Sequence, residues 1–135
     1  MKVVIDTNVF ISGIFWGGKP LLVLDHWIRD DFILLISKTI LDEYSKTLYE
    51  ISKGRRDDLV DKWIFNISTY SELVQPNQHF QICRDKDDNK WLDCAVAGSA
   101  DFIISGDKDL LSLKSIFPIK IVQLADFLRL LKSQD

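Results

Sequence analysis

Asp6, Glu43, Asp93 and Asp107 come from four separate stretches of the chain. Asp6 closes a β-branched run, 3–5, and leads into Thr7 and Asn8, whereas Asp107 follows the apolar run 102–104 by way of Ser105 and Gly106. In open parallel sheets functional groups collect at the carboxyl ends of the strands, because the loops there diverge and leave a crevice. Both aspartates are expected on that edge, although each taken singly also reads as a turn or helix-cap residue. Glu43 lies in the segment 38–51, where Ile40, Leu41, Tyr44, Leu48 and Ile51 recur at helical spacing. At about 100° per residue Glu43 falls at the margin of that apolar face and Asp42 nearly opposite it. Glu43 can therefore point toward the strand edge, or lie solvated beside Thr47 or a lysine.

Asp93 is the only charged residue between Trp91 and Ser99, in a stretch otherwise made of Leu, Cys, Ala, Val and Gly. A helix this apolar is buried nearly all round. A carboxylate there must be hydrogen-bonded, paired or bound to a metal, since burying it bare shifts its protonation instead. Capping by Asn89 or pairing with Lys90 are the structural alternatives. Taken together, four acids converging on one sheet edge form a site for a hard cation. Magnesium or manganese, which prefers oxygen ligands and keeps several waters, suits it. His26, in a helix beside Trp27 and Ile28, and His79, in a loop, read as structural or exposed rather than as ligands.

The elements that hold these acids follow from hydrophobic pattern. The runs 3–5, 32–36 and 102–104 read as buried parallel strands, with further strands at 73–74 and 119–122. Segments with helical spacing lie between them at 20–29, 38–51, 57–69 and 90–97, and 124–131 reads as a closing helix. Strands alternating with helices imply right-handed crossovers and a three-layer α/β/α fold around a central parallel sheet, with Rossmann-like topology. The charged stretch 54–58 separates two helices, and 76–89 is a polar loop. Neither is long enough to link domains, so 1–135 is expected to be a single domain, a size that buries a core without staples.

A formal net charge of -3 argues against binding nucleic acid through a broad basic surface. Contact with an acidic polymer must then be local. The two cysteines, Cys83 and Cys94, lack zinc-site spacing and point to a reducing cytoplasm rather than a disulfide. No apolar stretch approaches a membrane span and no secretory leader is legible, so a cytoplasmic protein without membrane attachment is expected.

Three blocks carry a resemblance that spans nearly the whole chain: Val4-Ile5-Asp6-Thr7-Asn8-Val9, Arg84-Asp85-Lys86-Asp87-Asp88-Asn89-Lys90-Trp91-Leu92-Asp93-Cys94-Ala95, and Ala100-Asp101-Phe102-Ile103-Ile104-Ser105-Gly106-Asp107-Lys108-Asp109-Leu110-Leu111. The sequence resembles the PIN-domain ribonucleases, particularly the VapC-like toxins of toxin–antitoxin pairs. The resemblance implies endonucleolytic hydrolysis of RNA by water activated at one or two divalent ions, Mg2+ or Mn2+. It assigns Asp6, Glu43, Asp93 and Asp107 as metal-binding catalytic acids, Asn8 and Ser105 as polar supports, and Asp109 as an additional acid. Position 93 often carries glutamate in the family, so aspartate shortens the reach there. A small antitoxin partner and a homodimer are also implied.

Clustered carboxylates repel an RNA backbone unless a cation is bound. Substrate contact is therefore expected from Arg84, Lys86, Lys90 and Lys108 around the rim, or from Lys53, Arg55 and Arg56, although any one of these also reads as solvated surface. Trp16, beside Phe15 and two glycines, reads equally as a base-stacking residue or as a core or dimer contact. Two other functions fit parts of the pattern. A carboxylate-based phosphohydrolase matches a strand ending in Asp then Thr, but position 8 is Asn where a second Asp is needed. An RNA-binding module of the same fold without catalysis would not need all four acids.

Overall fold

β-Branched and leucine-rich runs that bury on both faces build the centre of the protein, described here from a computed structural model for residues 1–53, 57–116 and 118–133. The strands β1 (Lys2–Ile5), β2 (Ile33–Ile36), β3 (Ser71–Leu73), β4 (Phe102–Ile104), β5 (Ser115–Ile116) and β6 (Ile119–Val122) form one sheet in the order β3-β2-β1-β4-β6-β5. All neighbours pair in parallel except β5, which pairs antiparallel with β6 at one edge. Val3, Val4, Ile5, Leu34, Leu35, Ile103 and Ile104 are fully excluded from solvent, as expected for strands covered on both faces.

The helices are α1 (Thr7–Phe15), α2 (Gly18–Ile28), α3 (Lys38–Ser52), α4 (Asp57–Tyr70), α5 (Asn89–Ala97), α6 (Lys108–Leu113) and α7 (Leu124–Ser133), with a 3-10 turn at Lys86–Asp88. They flank the sheet in the three-layer α/β/α arrangement that the alternating pattern predicts. Expected strand 73–74 falls one to two residues earlier, at Ser71–Leu73, and the pairing runs on through Val74 N, which donates to Ile36 O at 2.8 Å. The expectation at 54–58 falls partly on 54–56, which lie outside the described residues.

Two helices and one strand go beyond the sequence reading. α1 is apolar on most of its surface and buries Phe10, Ile11, Gly13 and Ile14, so no amphipathic stripe marks it. Gly13 has no room for a side chain: a Cβ there would stand 2.9 Å from the carbonyl oxygen of Pro20, which is how α2 folds back against α1. The turn between them runs through Gly17 and Gly18 at φ 73° and 68°, a left-handed conformation that favours glycine. α6 and β5 are too short for a periodic signal.

An aromatic cluster ties the first helices together. Phe10 stacks on Tyr44 with ring centroids 4.3 Å apart, and Trp27 and Trp63 close around Phe10. The Tyr44 hydroxyl donates to the carbonyl of Ile5. This bond pins α3 to the end of β1, and it sits one residue from both Glu43 and Asp6. Among the described residues, no single helix is long and apolar enough to cross a membrane.

Candidate active site

The chain turns directly from β1 into α1, and Asp6 sits at that corner as the helix N-cap, its Oδ1 accepting from Val9 N at 2.9 Å. Its other oxygen accepts from the Ser105 hydroxyl and from Gly106 N at 3.3 Å. Ser105, fully buried after β4, accepts in turn from Asp107 N at 2.9 Å. Asp107 caps α6 through Asp109 N at 2.8 Å. The capping reading of both aspartates and their position at the strand edge are therefore true together. Ser105 is the hydroxyl link that fixes one against the other.

Glu43 reaches the same place from α3. It accepts from the Thr7 hydroxyl and pairs with Lys90 Nζ at 2.6 Å. Lys90 also donates to the carbonyl of Asp87 at 2.7 Å, and its side chain is only 14% exposed. Asp6, Thr7, Asn8, Glu43, Asp88, Lys90 and Asp107 line one cleft of about 140 Å³ at the carboxyl edge of the sheet.

Asp88 is the residue the sequence reading passed over. It ends the 3-10 turn before α5, is 8% exposed, and leaves its buried Oδ2 without a hydrogen-bond partner. Burial, then a hydrogen bond and the charge of Asp107, push its carboxyl up from 3.8 to about 7, while Lys90 opposes the rise. Burial also raises Asp6, against the hydrogen bonds from Ser105, Val9 and Gly106, with the charge of Asp107 adding to the rise. The available signal was the acid-rich run Asp85, Asp87, Asp88 directly ahead of an apolar helix. It reads as loop because aspartate is common in turns.

Asp93 is placed elsewhere. Its Oδ1 accepts from Phe80 N at 2.7 Å and its Oδ2 stands 3.5 Å from His79 Nδ1, in a recess beside the cleft rather than in it. Neither Asn89 nor Lys90 caps or pairs it: Asn89 Oδ1 accepts from Cys83 N at 3.0 Å, and Lys90 is turned toward Glu43. The structure thus brings Asp6, Glu43 and Asp107 together with Asp88 and leaves Asp93 one helical turn away on α5. Asp109 is half-buried and meets Asp107 through its backbone N–H.

Of the expected cations, Lys90 lies in the cleft, Arg84 and Lys86 line a separate recess with Cys83 and Asn89, and Lys108 is exposed. Lys53 caps the end of α3, while Arg55 and Arg56 lie outside the described residues. Trp16 is 70% exposed and leans on Phe15. His26 pairs with Asp31 at 2.7 Å, and His79 is 77% exposed. Both cysteines are free thiols, and burial followed by the charge of Asp93 pushes Cys94 up to about 12.

Among the described residues, no three Asp, Glu, His or Cys side chains already form a coordination cluster. The donor set nevertheless fits a hard cation. An orphaned, buried carboxylate oxygen on Asp88, a carboxyl that burial and the neighbouring Asp107 push up, and an ammonium lodged against Glu43 are what an all-oxygen site shows when its charges must be offset without a metal. Soft or borderline metals lack their thiolate and imidazole ligands here.

A mostly parallel α/β/α sheet with an acidic cleft where β1 and β4 end defines a Rossmann-like domain with a carboxylate site. A PIN-domain family model matches residues 2–109, which include every acid of the cleft, and the chain belongs to the PIN-domain family. It is 36% identical over 118 residues to an uncharacterized protein of Methanocaldococcus jannaschii, covering 84% of this chain and 76% of that one. Its fold is similar to a chain in the crystal structure of VapBC2 from Rickettsia felis bound to a DNA fragment from their promoter, with a TM-score of 0.61 and 14% identity. That match covers 91% of this chain and 98% of the other. PIN domains are generally nucleases.

Proposed function

We propose that this protein is a divalent-metal-dependent endoribonuclease and the toxin of a toxin–antitoxin pair. The observation that carries the nuclease reading is the convergence of Asp6, Glu43, Asp88 and Asp107 on one cleft, with a raised Asp88 and its orphaned oxygen. Asp6, Asp88 and Asp107 would hold Mg2+ or Mn2+, and Glu43 would face its water shell. When bound, the ion supplies activation of water and neutralises charge developing on the phosphoryl oxygens.

The chain's own residues do the rest. Ser105 ties the Asp6 carboxylate to the backbone of Asp107, so both residues are held at the cleft by one buried hydroxyl. Asp88, with its carboxyl raised to about 7, gives up its proton when a cation arrives and is the group best poised to exchange one near neutral pH. Lys90 holds Glu43 in place and offers positive charge beside a phosphate that the acids alone would repel. No serine or cysteine nucleophile is needed. An aspartyl-phosphate route is disfavoured because Asp6 has both oxygens engaged and Asn8 stands where a second acid is needed.

The toxin role, the antitoxin partner, a homodimer and a cytoplasmic setting rest on the VapC-like sequence blocks and on the fold shared with a protein of a VapBC complex. Expression of the protein should arrest growth, and co-expression of a small partner should relieve it. Equal growth with wild type and Asp6→Asn at equal soluble expression would remove the toxin role. Cleavage of a generic RNA with and without metal tests the chemistry independently of that role.

A further inference from the structure

The carboxyl edge of the sheet continues past the acidic cleft. Where β2 and β3 end it opens a second recess of about 430 Å³, lined by Lys38 and Thr39 at the start of α3, Gln75 and Pro76 after β3, and Lys90 and Asp93 on α5. The order β3-β2-β1-β4 puts the β2–β3 junction two strand spacings, roughly 10 Å, from the β1–β4 junction where Asp6 and Ser105 stand. Lys90 lines both cavities.

Size separates what the two can hold. The acidic cleft, at about 140 Å³, suits a hydrated ion and a phosphate group but falls below the roughly 300 Å³ at which pockets begin to hold organic ligands. The neighbouring recess has ligand size. Charge then decides between the two sides of the cleft. A recess of about 340 Å³ on the other side is lined by Asp6, Asp107 and Asn8 with no cationic side chain, so a phosphodiester is repelled there. On the β2–β3 side, Lys38 is exposed and enters no ion pair among the described residues. The Lys90 ammonium has three donors, of which Glu43 and the Asp87 carbonyl take two.

The remaining walls suit a base. Leu73, which is 66% exposed, and Val74 and Pro76 give an apolar surface, while Gln75 supplies amide donors and acceptors. Asp93 also lines the recess, with Oδ1 accepting from Phe80 N at 2.7 Å and Oδ2 3.5 Å from His79 Nδ1, so its acceptors are turned in part to those neighbours.

We propose that this recess is a mononucleotide subsite that holds the residue of an RNA strand adjoining the phosphate in the acidic cleft, with Lys38 and Lys90 on its phosphate and Leu73, Val74 and Pro76 against its base. The assignment rests on the nuclease reading for its biological use but not for its test. In excess EDTA, the isotope-labelled full chain is titrated with adenosine 5'-monophosphate and, separately, with inorganic phosphate, following backbone amide shifts by NMR. The expected result is shifts centred on Thr39, Gln75 and His79, weaker shifts with phosphate alone, and at least a fivefold loss of mononucleotide affinity in Lys38→Glu. Glutamate in the first turn of α3 suits the helix dipole, so that variant keeps its fold, which its amide spectrum reports. Shifts centred elsewhere, equal response to phosphate alone, or unchanged affinity in folded Lys38→Glu would each overturn the subsite. Because no metal and no turnover are involved, RNA cleavage can fail while the subsite stands, and the reverse.

Discussion

Replacing Asp88 by asparagine removes the negative charge that the cleft holds least willingly while keeping the shape of the side chain. An unfolded aspartate ionises near 3.8, whereas the folded Asp88 carboxyl ionises near 7. Between those values the folded protein keeps a proton that the unfolded chain has lost, so stability falls as pH rises through that window and levels off above it. At 1.36 kcal/mol per pH unit the ceiling on this penalty is about 4 kcal/mol. Side chains relax and water reaches the cleft when Asp88 ionises, so about 2 kcal/mol is the expected gain for Asp88→Asn at pH 8, a melting temperature higher by roughly 6–8 °C. At pH 4 both proteins carry a neutral side chain at position 88 and should melt together. Thermal melts in EDTA at pH 4, 6 and 8 read this directly, and the variant should not cleave RNA at any of them. A gap that is the same at pH 4 and pH 8, or a variant that melts lower than wild type at pH 8, would refute the placement of Asp88 against Asp107.

Lys90→Met should act in the opposite sense, lowering the metal-free melting temperature at pH 8 by about 1–2 kcal/mol equivalent, because Glu43 and Asp88 lose their counter-charge; added Mn2+ should recover more stability in this variant than in wild type. Asp93→Ala should cost about 1–2 kcal/mol by stranding the Phe80 amide, yet keep metal-dependent cleavage within a few-fold of wild type. Loss of cleavage in a folded Asp93→Ala protein would return Asp93 to the reacting site. Tyr44→Phe should cost about 1–2 kcal/mol in a denaturant melt through the freed Ile5 carbonyl, and a change under 0.5 kcal/mol would show that bond to be unimportant.

The strands were legible because their residues are buried on both faces, which leaves uninterrupted runs such as Val3 to Ile5 and Phe102 to Ile104. Helices with one wet face, α3 above all, announced themselves by spacing, and Glu43 could be placed at the margin of its apolar stripe for that reason. α1 was illegible because it is apolar nearly all round, and it follows Asp6 with no intervening loop. Asp6 and Asp107 could be placed on the carboxyl edge from topology alone, since strand ends fix them, whereas Ser105 entered as a polar support through the family resemblance. The α5 acid could not be placed that way. Asp88 stands just before α5 and Asp93 at its middle, and which of them faces the cleft depends on the 3-10 turn that delivers Asp88, a short-range feature without periodicity. Asp93 stood out because a lone charge in an apolar helix demands a partner, and the family resemblance assigned that partner to be a metal. That demand is met instead by the Phe80 amide and His79.

The central claim is that Asp6, Glu43, Asp88 and Asp107 form a metal-dependent RNA-cleaving site. Its most direct test is cleavage of a long single-stranded RNA by the purified full chain in Mg2+ or Mn2+, in excess EDTA, and after restoring metal, with Asp6→Asn purified in parallel to exclude a contaminating nuclease. The account predicts internal cleavage with metal, none in EDTA, recovery on restoring the ion, and at least a hundredfold loss in Asp6→Asn. Undiminished cutting in EDTA, equal cutting by Asp6→Asn, or intact RNA with wild type at every metal concentration would contradict it.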